Sequence, residues 1–138
     1  MPCESGLDHR ATSTNGAVGI MQVMPATGQE MQVGDIRQLE ANIHAGVKYI
    51  RVIIDRHLRD DALDPLTRTL FALAAYNCGP SCVRRLRGEA ARRGLNPNLW
   101  FGNVERIAGE LVGPEPVEYV SSIYKYYVAY TLAVANAR

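Results

Sequence analysis

Apolar residues recur at helical spacing along most of this chain. One set steps by three or four residues and predicts the buried stripe of a long helix: Ile43, Val47, Ile50, Ile54 and Leu58. A second run, "LFALAAYN" at residues 70–77, is apolar nearly all round, which predicts a central and buried helix. No alternating strand pattern, repeat or low-complexity segment accompanies these helical patterns.

Turn and cap residues predict where the helices begin and end. Four pairs act as starts or breaks: Asp64-Pro65, Gly79-Pro80, Asn96-Pro97 and Gly113-Pro114. Gly94 is placed to end the helix that Gly79-Pro80 starts. Two further apolar faces follow, namely Leu99, Val104, Ile107 and Leu111, then Val117, Val120, Tyr124, Tyr127 and Thr131. The prediction is one all-α domain over residues 1–138, with an irregular, glycine-punctuated N-terminal segment of about thirty residues.

Composition and charge narrow the class of protein. The chain has 138 residues, of which 47% are hydrophobic and 21% charged, as expected for one globular domain. A formal net charge of +1 argues against nucleic acid as the main partner. The arginines of "RRLRGEAARR" at residues 84–93 point in several directions on a helix, which indicates a solvated face. Attraction to an anionic polymer stays open as the alternative.

Targeting and metal-binding signals are weak. No apolar stretch approaches the ~20 residues of a membrane span, and "MPCESGLDHR" lacks the apolar core of a signal peptide. The chain starts without a lead-in to its first pattern, which favours a fragment truncated at its N-terminus. Histidines at 9, 44 and 57 show no metal-like pairing, so neither metal nor cofactor is expected. Three cysteines make no disulfide framework, although a local Cys78–Cys82 bridge stays open.

Several polar residues stand where an apolar pattern would not choose them. Gln22 lies inside "GAVGIMQVMPATG", and burying an amide without partners costs about 1–3 kcal/mol. Each such residue has a local explanation: Tyr76 as a core residue, Asn77 as a helix cap, and Glu4 as a helix former. Gln22 either satisfies a buried backbone group or faces a groove and binds a ligand.

Four blocks of sequence, taken in order and with their spacing, form a pattern that is typical of a known family. They are "ES" at 4–5 with Ser13 and "GAVGIMQVMPATG", then "NIHAGVKYI", "ALAAYNCGPSCV", and "EPVEYVSSIYKYY". Together they resemble the soluble lytic transglycosylase family over nearly the whole chain. The stretch "VGDIRQLEANIHAGVKYI" is most similar to the membrane-bound F-type branch of that family. The resemblance implies a lysozyme-like helical fold and cleavage of the β-1,4 bond between N-acetylmuramic acid and N-acetylglucosamine.

The resemblance also implies a chemistry with a single carboxylate. Glu4 matches the family's catalytic glutamate, which acts first as the acid and then as the base, where a typical glycosidase uses two carboxylates. The sugar's own hydroxyl on carbon six attacks and forms a 1,6-anhydro ring, so no water is consumed. Such an acid needs a raised pKa, for which an apolar surrounding would serve. Met21, Met24 and Tyr76 are the predicted walls.

The remaining matched positions take binding roles by the same resemblance. Ser13 would hydrogen-bond the sugar, Gln22 would bind saccharide in the groove, and Met24 would pack on a sugar face. Tyr76 would lie near the reacting centre, and Asn77 would fix the turn after it. Glu115 and Tyr119 line up near the same groove, with Pro116 where the family usually has threonine. Tyr124, Tyr126, Tyr127 and Tyr130 are assigned to packing and surface.

Two other functions compete with this expectation. Goose-type lysozymes share the fold and the single glutamate but deliver water, and a further carboxylate would favour them; Asp8 and Asp35 match no such role. A non-catalytic peptidoglycan-binding module would lack the glutamate, which Glu4 supplies. The expected partner is therefore the peptidoglycan glycan strand, bound by a monomer in the periplasm or cell envelope. The F-type resemblance also implies a full-length parent protein that is associated with the outer membrane.

Overall fold

The structure, a computed structural model, describes residue 17 and residues 21–136 of the chain. This part contains six α-helices: α1 (Pro25–Met31), α2 (Leu39–His57), α3 (Pro65–Cys78), α4 (Pro80–Arg92), α5 (Glu105–Leu111) and α6 (Pro114–Asn136). No strand element occurs among these residues, so the all-α prediction is confirmed. No helix in the described range has both the length and the apolar character needed to cross a bilayer.

The described residues fall into two compact units, with the boundary between Arg59 and Asp60. The first unit contains α1 and α2, and the second contains α3 to α6. The single-domain organisation over residues 1–138 stays a prediction.

Helix α1 corrects the prediction that the first thirty residues are irregular. Pro25 opens this helix at a position where its missing N–H costs nothing, and Gln32 ends it in a left-handed conformation. Gly28 is buried on the helix, and a Cβ there would lie 2.5 Å from Cγ2 of Ile36. The helix therefore depends on a close approach to a later residue, which local periodicity cannot indicate.

The core of the first unit lies between α1, the loop after it and α2. Its buried members are Val23, Met31, Ile36 and Ala45, and Met21, Val33, Tyr49 and Val52 pack against them. Lys48 of α2 donates a hydrogen bond of 2.7 Å to the Met31 carbonyl, at the end of α1. Hydrophobic burial and this hydrogen bond together hold α1 on α2.

The buried face of α2 differs from the predicted stripe. Ile43 and Val47 are 39% and 57% exposed, and Ile50 and Ile54 are half-buried, whereas Leu58 is buried as predicted. The residues buried along α2 are Asn42, Ala45, Gly46 and Ile53. A face of small residues lets another segment approach the helix closely, so size and contact decided the buried face here more than side-chain hydrophobicity did.

In the second unit, α3 is central, as its sequence predicts. Asp64 caps the helix by accepting hydrogen bonds from the Thr67 backbone N–H and hydroxyl. Those two bonds, the backbone one first, hold the pKa of Asp64 below its ordinary value. Pro65 occupies the first turn, and the buried residues of α3 run almost without interruption: Leu70, Phe71, Ala72, Leu73, Ala74 and Ala75. Helices α4 and α6 pack against this helix.

Helix α5 begins later than predicted. Phe101 is extended and Gly102 has a φ of 69°, so residues 100–104 form a wide turn before Glu105 starts the regular helix. Because this turn breaks the register, Leu99 and Leu111 do not share the buried face and are both exposed. Trp100 takes the core position instead, and its ring meets Phe71 edge to face with centroids 6.2 Å apart.

The arginine-rich helix α4 is solvated only in part. Arg84 and Arg85 are exposed, as predicted for a solvated face. Arg87 instead lies over the Phe71 ring, 5.0 Å from its centroid, and donates to the Pro97 carbonyl and the Asn98 side chain. This arginine therefore ties α4 to the segment after it.

The last helix is buried only near its start. Pro116, Tyr119 and Val120 are the buried residues of α6. Tyr127 and Thr131, which the predicted stripe includes, are exposed. The assignment of the later tyrosines to packing and surface fits the structure, because Tyr124 contacts the Phe101 ring at 5.2 Å and Tyr126 and Tyr130 are exposed.

The two cysteines at the junction of α3 and α4 are free thiols, so the bridge left open by the sequence is not formed. Burial, and then a side-chain hydrogen bond with Cys82, raises the pKa of the Cys78 thiol above its ordinary value. A thiol of raised pKa is a poor nucleophile, which indicates that Cys78 is a structural residue.

Candidate functional site

The predicted site residues in the first unit lie in a short segment before α1. Gln22 has a φ of 49°, and Gln32 is the other non-glycine residue with positive φ in the described range. Gln32 is at a helix end, where this conformation is common. Gln22 lies instead in a turn before α1, and a left-handed conformation costs a side-chain-bearing residue roughly 1–2 kcal/mol. Such strain persists only where the surroundings enforce it, and it is frequent at functional sites.

The backbone beside Gln22 is held by a buried amide. Asn42, which is fully buried in α2, accepts a hydrogen bond of 2.9 Å from the Met21 N–H through its Oδ1. Its Nδ2 donates a bond of 2.9 Å to the Ile36 carbonyl. One side chain thus joins the segment before α1, the loop after α1 and helix α2.

Packing holds the same segment from its other sides. A Cβ on Gly46 would lie 2.6–2.9 Å from the Met21 side chain, so Met21 packs directly on the helix backbone. Val23 is 2% exposed and belongs to the core. Met24 is 42% exposed, which leaves its thioether free to meet a ligand. Gln22 itself is half-buried, between one residue on the helix and one in the core.

The predicted residues in the second unit include a stacked aromatic pair. Tyr76 near the end of α3 and Tyr119 in α6 have parallel rings, with an angle of 2° between planes and 6.3 Å between centroids. Tyr119 is 8% exposed and Tyr76 is half-buried. This contact unites residues that are more than forty positions apart in the sequence.

Asn77 and Glu115 flank this pair along the chain. Asn77 is buried at the last turn of α3. The helix ends at Gly79, whose φ is 96° and whose N–H donates to the Ala75 carbonyl at 2.7 Å. Glu115 is exposed in the first turn of α6, one turn before Tyr119. Pro116 also lies in that first turn, where proline is tolerated, so the helix is intact although the family's usual threonine is absent.

The structure therefore groups the predicted residues within each unit. Met21, Gln22 and Met24 are neighbours in the first unit, and Tyr76, Asn77, Glu115 and Tyr119 lie on α3 and α6 in the second. Glu4 and Ser13, together with Asp8, lie outside the described residues. Asp35, the other carboxylate weighed for hydrolysis, is paired with Arg37 through two side-chain hydrogen bonds of 3.0 Å. Hydrogen bonding from the Arg37 side chain, and then from the Arg37 backbone N–H, lowers the pKa of Asp35.

Asn42 is the residue that sequence reasoning missed. It stands first in the "NIHAGVKYI" block but received no role there. The signal was available, because a polar amide within an apolar helical stretch needs partners if it is buried. Which backbone groups satisfy it depends on long-range packing and is visible only in the fold.

No cluster of three histidine, cysteine, aspartate or glutamate side chains able to hold a metal is found in the described part of the chain.

A family model described as the transglycosylase SLT domain matches residues 1–98. That range includes Glu4, Ser13, the segment around Gln22 and the Tyr76-Asn77 pair. The chain belongs to the transglycosylase SLT domain family.

Individual proteins named as lytic murein transglycosylases align with a longer stretch of the chain than the family model does. This SLT domain chain is 40% identical over 137 residues to the "membrane-bound lytic murein transglycosylase F" of Desulfosudis oleivorans, which covers 90% of the chain and 30% of that protein. It is 33% identical over 138 residues to the proteins of the same name from Pseudomonas fluorescens Pf-5 and Pseudomonas putida F1, covering 90% of the chain and 28% of each. The SLT domain chain thus spans less than a third of the length of these curated relatives.

Proposed function

We propose that this chain is a lytic transglycosylase that cleaves the glycan strands of peptidoglycan. The family match over residues 1–98 carries the proposal. The names of the relatives, which describe lytic murein transglycosylases, support the same activity. The conformation of Gln22 and the paired rings of Tyr76 and Tyr119 add support, since both are constrained arrangements of residues with predicted site roles.

In the proposed reaction, Glu4 moves the protons and the substrate supplies the nucleophile. Glu4 as the acid protonates the glycosidic oxygen as the bond from the anomeric carbon to that oxygen breaks. Glu4 as the base then accepts the proton of the muramic acid hydroxyl on carbon six, whose oxygen bonds to the anomeric carbon. One carbon–oxygen bond breaks and one forms, and the proton that Glu4 gives up is replaced by the one it accepts. No water, metal or cofactor enters the balance.

The other residues bind and orient the sugar in this proposal. Gln22 and Ser13 hydrogen-bond the saccharide, and the exposed thioether of Met24 packs on a sugar face. Tyr76 holds its hydroxyl near the reacting centre with the Tyr119 ring behind it. Asn77 fixes the turn after α3, and Glu115 lies near the same groove as Tyr119.

The proposed place of action is the cell envelope. Peptidoglycan is found there, and the relatives are named as membrane-bound proteins. We propose that the chain acts in the periplasm as a monomer, within a parent protein that is attached to the membrane.

Mass spectrometry of digested peptidoglycan tests the function. The chain is incubated with purified peptidoglycan, with Glu4→Gln as the matched variant because it keeps the size of the side chain and removes its proton chemistry. Muropeptides ending in 1,6-anhydromuramic acid, absent with Glu4→Gln, are the expected result. Reducing muramic acid ends would show a hydrolase instead. Saccharide binding without any product from the native chain would show a binding module, and either outcome would overturn the proposal.

A further inference from the structure

The segment that carries Gln22 is held at both of its neighbouring residues. On one side the Met21 N–H donates to Asn42 Oδ1 at 2.9 Å. On the other side Val23 is buried in the core. Gln22 lies between these two anchors with a φ of 49°. Since a left-handed conformation is unfavourable for glutamine, release of either anchor would let the residue relax to a commoner conformation.

Asn42 is suited to act as the anchor because its own orientation is fixed. The side chain is fully buried, so it is shielded from water that would compete for its hydrogen bonds. Its amide nitrogen donates to the Ile36 carbonyl, and this bond determines which way the amide faces. With the nitrogen directed at a carbonyl, the oxygen is the atom that meets the Met21 N–H.

Gly46, one turn along the same helix, completes the support. Its missing side chain provides the space in which Met21 packs, because a Cβ there would lie 2.6 Å from Cε and 2.9 Å from Cβ of Met21. The hydrogen bond from Asn42 and the contact at Gly46 thus act on one residue, Met21. A residue held in both its backbone and its side chain leaves little freedom for the next one.

We propose that Asn42 is a positioning residue for saccharide binding, which sets the conformation of Gln22 through the Met21 backbone N–H. This inference rests on the proposed function, because Gln22 is taken to bind the glycan strand. It differs from a purely structural role for Asn42 in one respect. A structural role predicts a loss of stability alone, whereas a positioning role predicts that the effect of Asn42 on binding passes through Gln22.

A double-mutant cycle measures this difference. Binding of a soluble peptidoglycan tetrasaccharide is measured by calorimetry for the native chain, Asn42→Ala, Gln22→Ala and the double variant, each carrying Glu4→Gln so that the ligand is not cleaved. We expect each single variant to weaken binding about tenfold, equivalent to about 1.4 kcal/mol. The double variant should then be no weaker than Gln22→Ala, because the effect of Asn42 requires the Gln22 side chain.

Lys48→Met is the matched control. Lys48 also donates from α2 to the backbone, but at the Met31 carbonyl, which is at the opposite end of α1 from the segment that carries Gln22. Its substitution should lower stability and leave the dissociation constant within about twofold of the native value. Gly46→Ala serves as the second variant if Asn42→Ala fails to fold, because it displaces Met21 while leaving Asn42 in place.

The possible results separate the two proposals. If the double variant binds about a hundredfold more weakly than the native chain, the two single losses of affinity have multiplied independently. That result would overturn the positioning role while leaving the proposed function intact. An equal loss of binding in Lys48→Met would also overturn it. If the native chain neither binds the tetrasaccharide nor releases anhydro products, the proposed function fails and the inference fails with it. Faster hydrogen exchange at the Met21 amide in Asn42→Ala or Gly46→Ala, in a chain that remains folded, is the expected structural signature.

Discussion

The aromatic rings of Tyr76 and Tyr119 lie parallel, with centroids 6.3 Å apart and an angle of 2° between their planes. Tyr76 comes from the last turns of α3 and Tyr119 from the second turn of α6, so the contact joins the two helices. The contact with the Tyr119 ring restricts the side-chain conformations open to Tyr76. In the proposed function, this contact orients Tyr76 near the reacting centre.

Removal of the Tyr119 ring should therefore affect both stability and rate. Tyr119→Leu should lower the free energy of unfolding by about 1–3 kcal/mol, since the side chain is buried and loses its stacking partner. It should also slow release of anhydro products, because Tyr76 loses its support. Tyr119→Phe is the control: it keeps the ring and with it the contact with Tyr76, so its rate should fall less than that of Tyr119→Leu. Urea unfolding and product release measure the two effects, and a native rate in Tyr119→Leu would contradict the role.

Replacement of glycine by alanine should change stability in opposite directions at Gly28 and Gly88. At Gly28 an added Cβ would lie 2.5 Å from Cγ2 of the β-branched Ile36, so Gly28→Ala should destabilise the chain by about 1–3 kcal/mol. At Gly88, inside α4, no atom lies within 4 Å of the added Cβ in the described part. Gly88→Ala should stabilise it by about 0.4–1 kcal/mol, through the entropy of the unfolded chain. Equal effects in thermal unfolding would contradict this assignment.

An acid-sensitive ion pair should be detectable at Glu89. The Arg92 and Arg93 side chains hydrogen-bond this carboxylate and lower its pKa from the ordinary 4.5 to about 2. Since the folded pKa is the lower one, the stabilisation is complete above about pH 4.5 and is lost as the pH falls towards 2. Glu89→Gln should therefore lower the melting temperature at pH 7, by an amount that shrinks steadily below pH 4.5.

Glu118→Gln is the control for that pH series, because Glu118 makes no ion pair within the described residues. Its melting temperature should follow that of the native chain at each pH. A difference between native and Glu89→Gln that stays constant from pH 7 to pH 3 would contradict the shifted pKa. Added salt should also reduce the difference at pH 7, because the pair is near the surface.

The Cys78 thiol should resist alkylation in the folded chain. Its pKa is raised by burial and by the hydrogen bond with Cys82, so little thiolate is present at pH 8. Iodoacetamide should modify Cys78 at least about tenfold more slowly in the folded chain than in guanidinium chloride, as measured by peptide mass spectrometry. Rapid labelling of Cys78 in the folded chain would contradict the burial.

The starts of α3, α4 and α6 could be read from the sequence because local chemistry decides them. Asp64 caps α3, Pro80 opens α4 and Pro114 opens α6, as the residue types at those positions predict. Each boundary depends on fixed φ angles, missing N–H groups or side-chain caps within a few residues. The motif blocks, likewise, sufficed to indicate the family that the match over residues 1–98 then established.

Tertiary structure alone decided which faces are buried and how the site residues are held. The apolar spacing of α2 predicted a stripe through Ile43 and Val47, but the helix buries Asn42 and Gly46 because Met21 packs there. The hydrogen bond from Met21 to Asn42 beside Gln22, and the contact between Tyr76 and Tyr119, also join residues more than twenty positions apart in the sequence. Periodicity reports an average preference for burial, whereas the choice of partner depends on distances that exist only after the chain has folded.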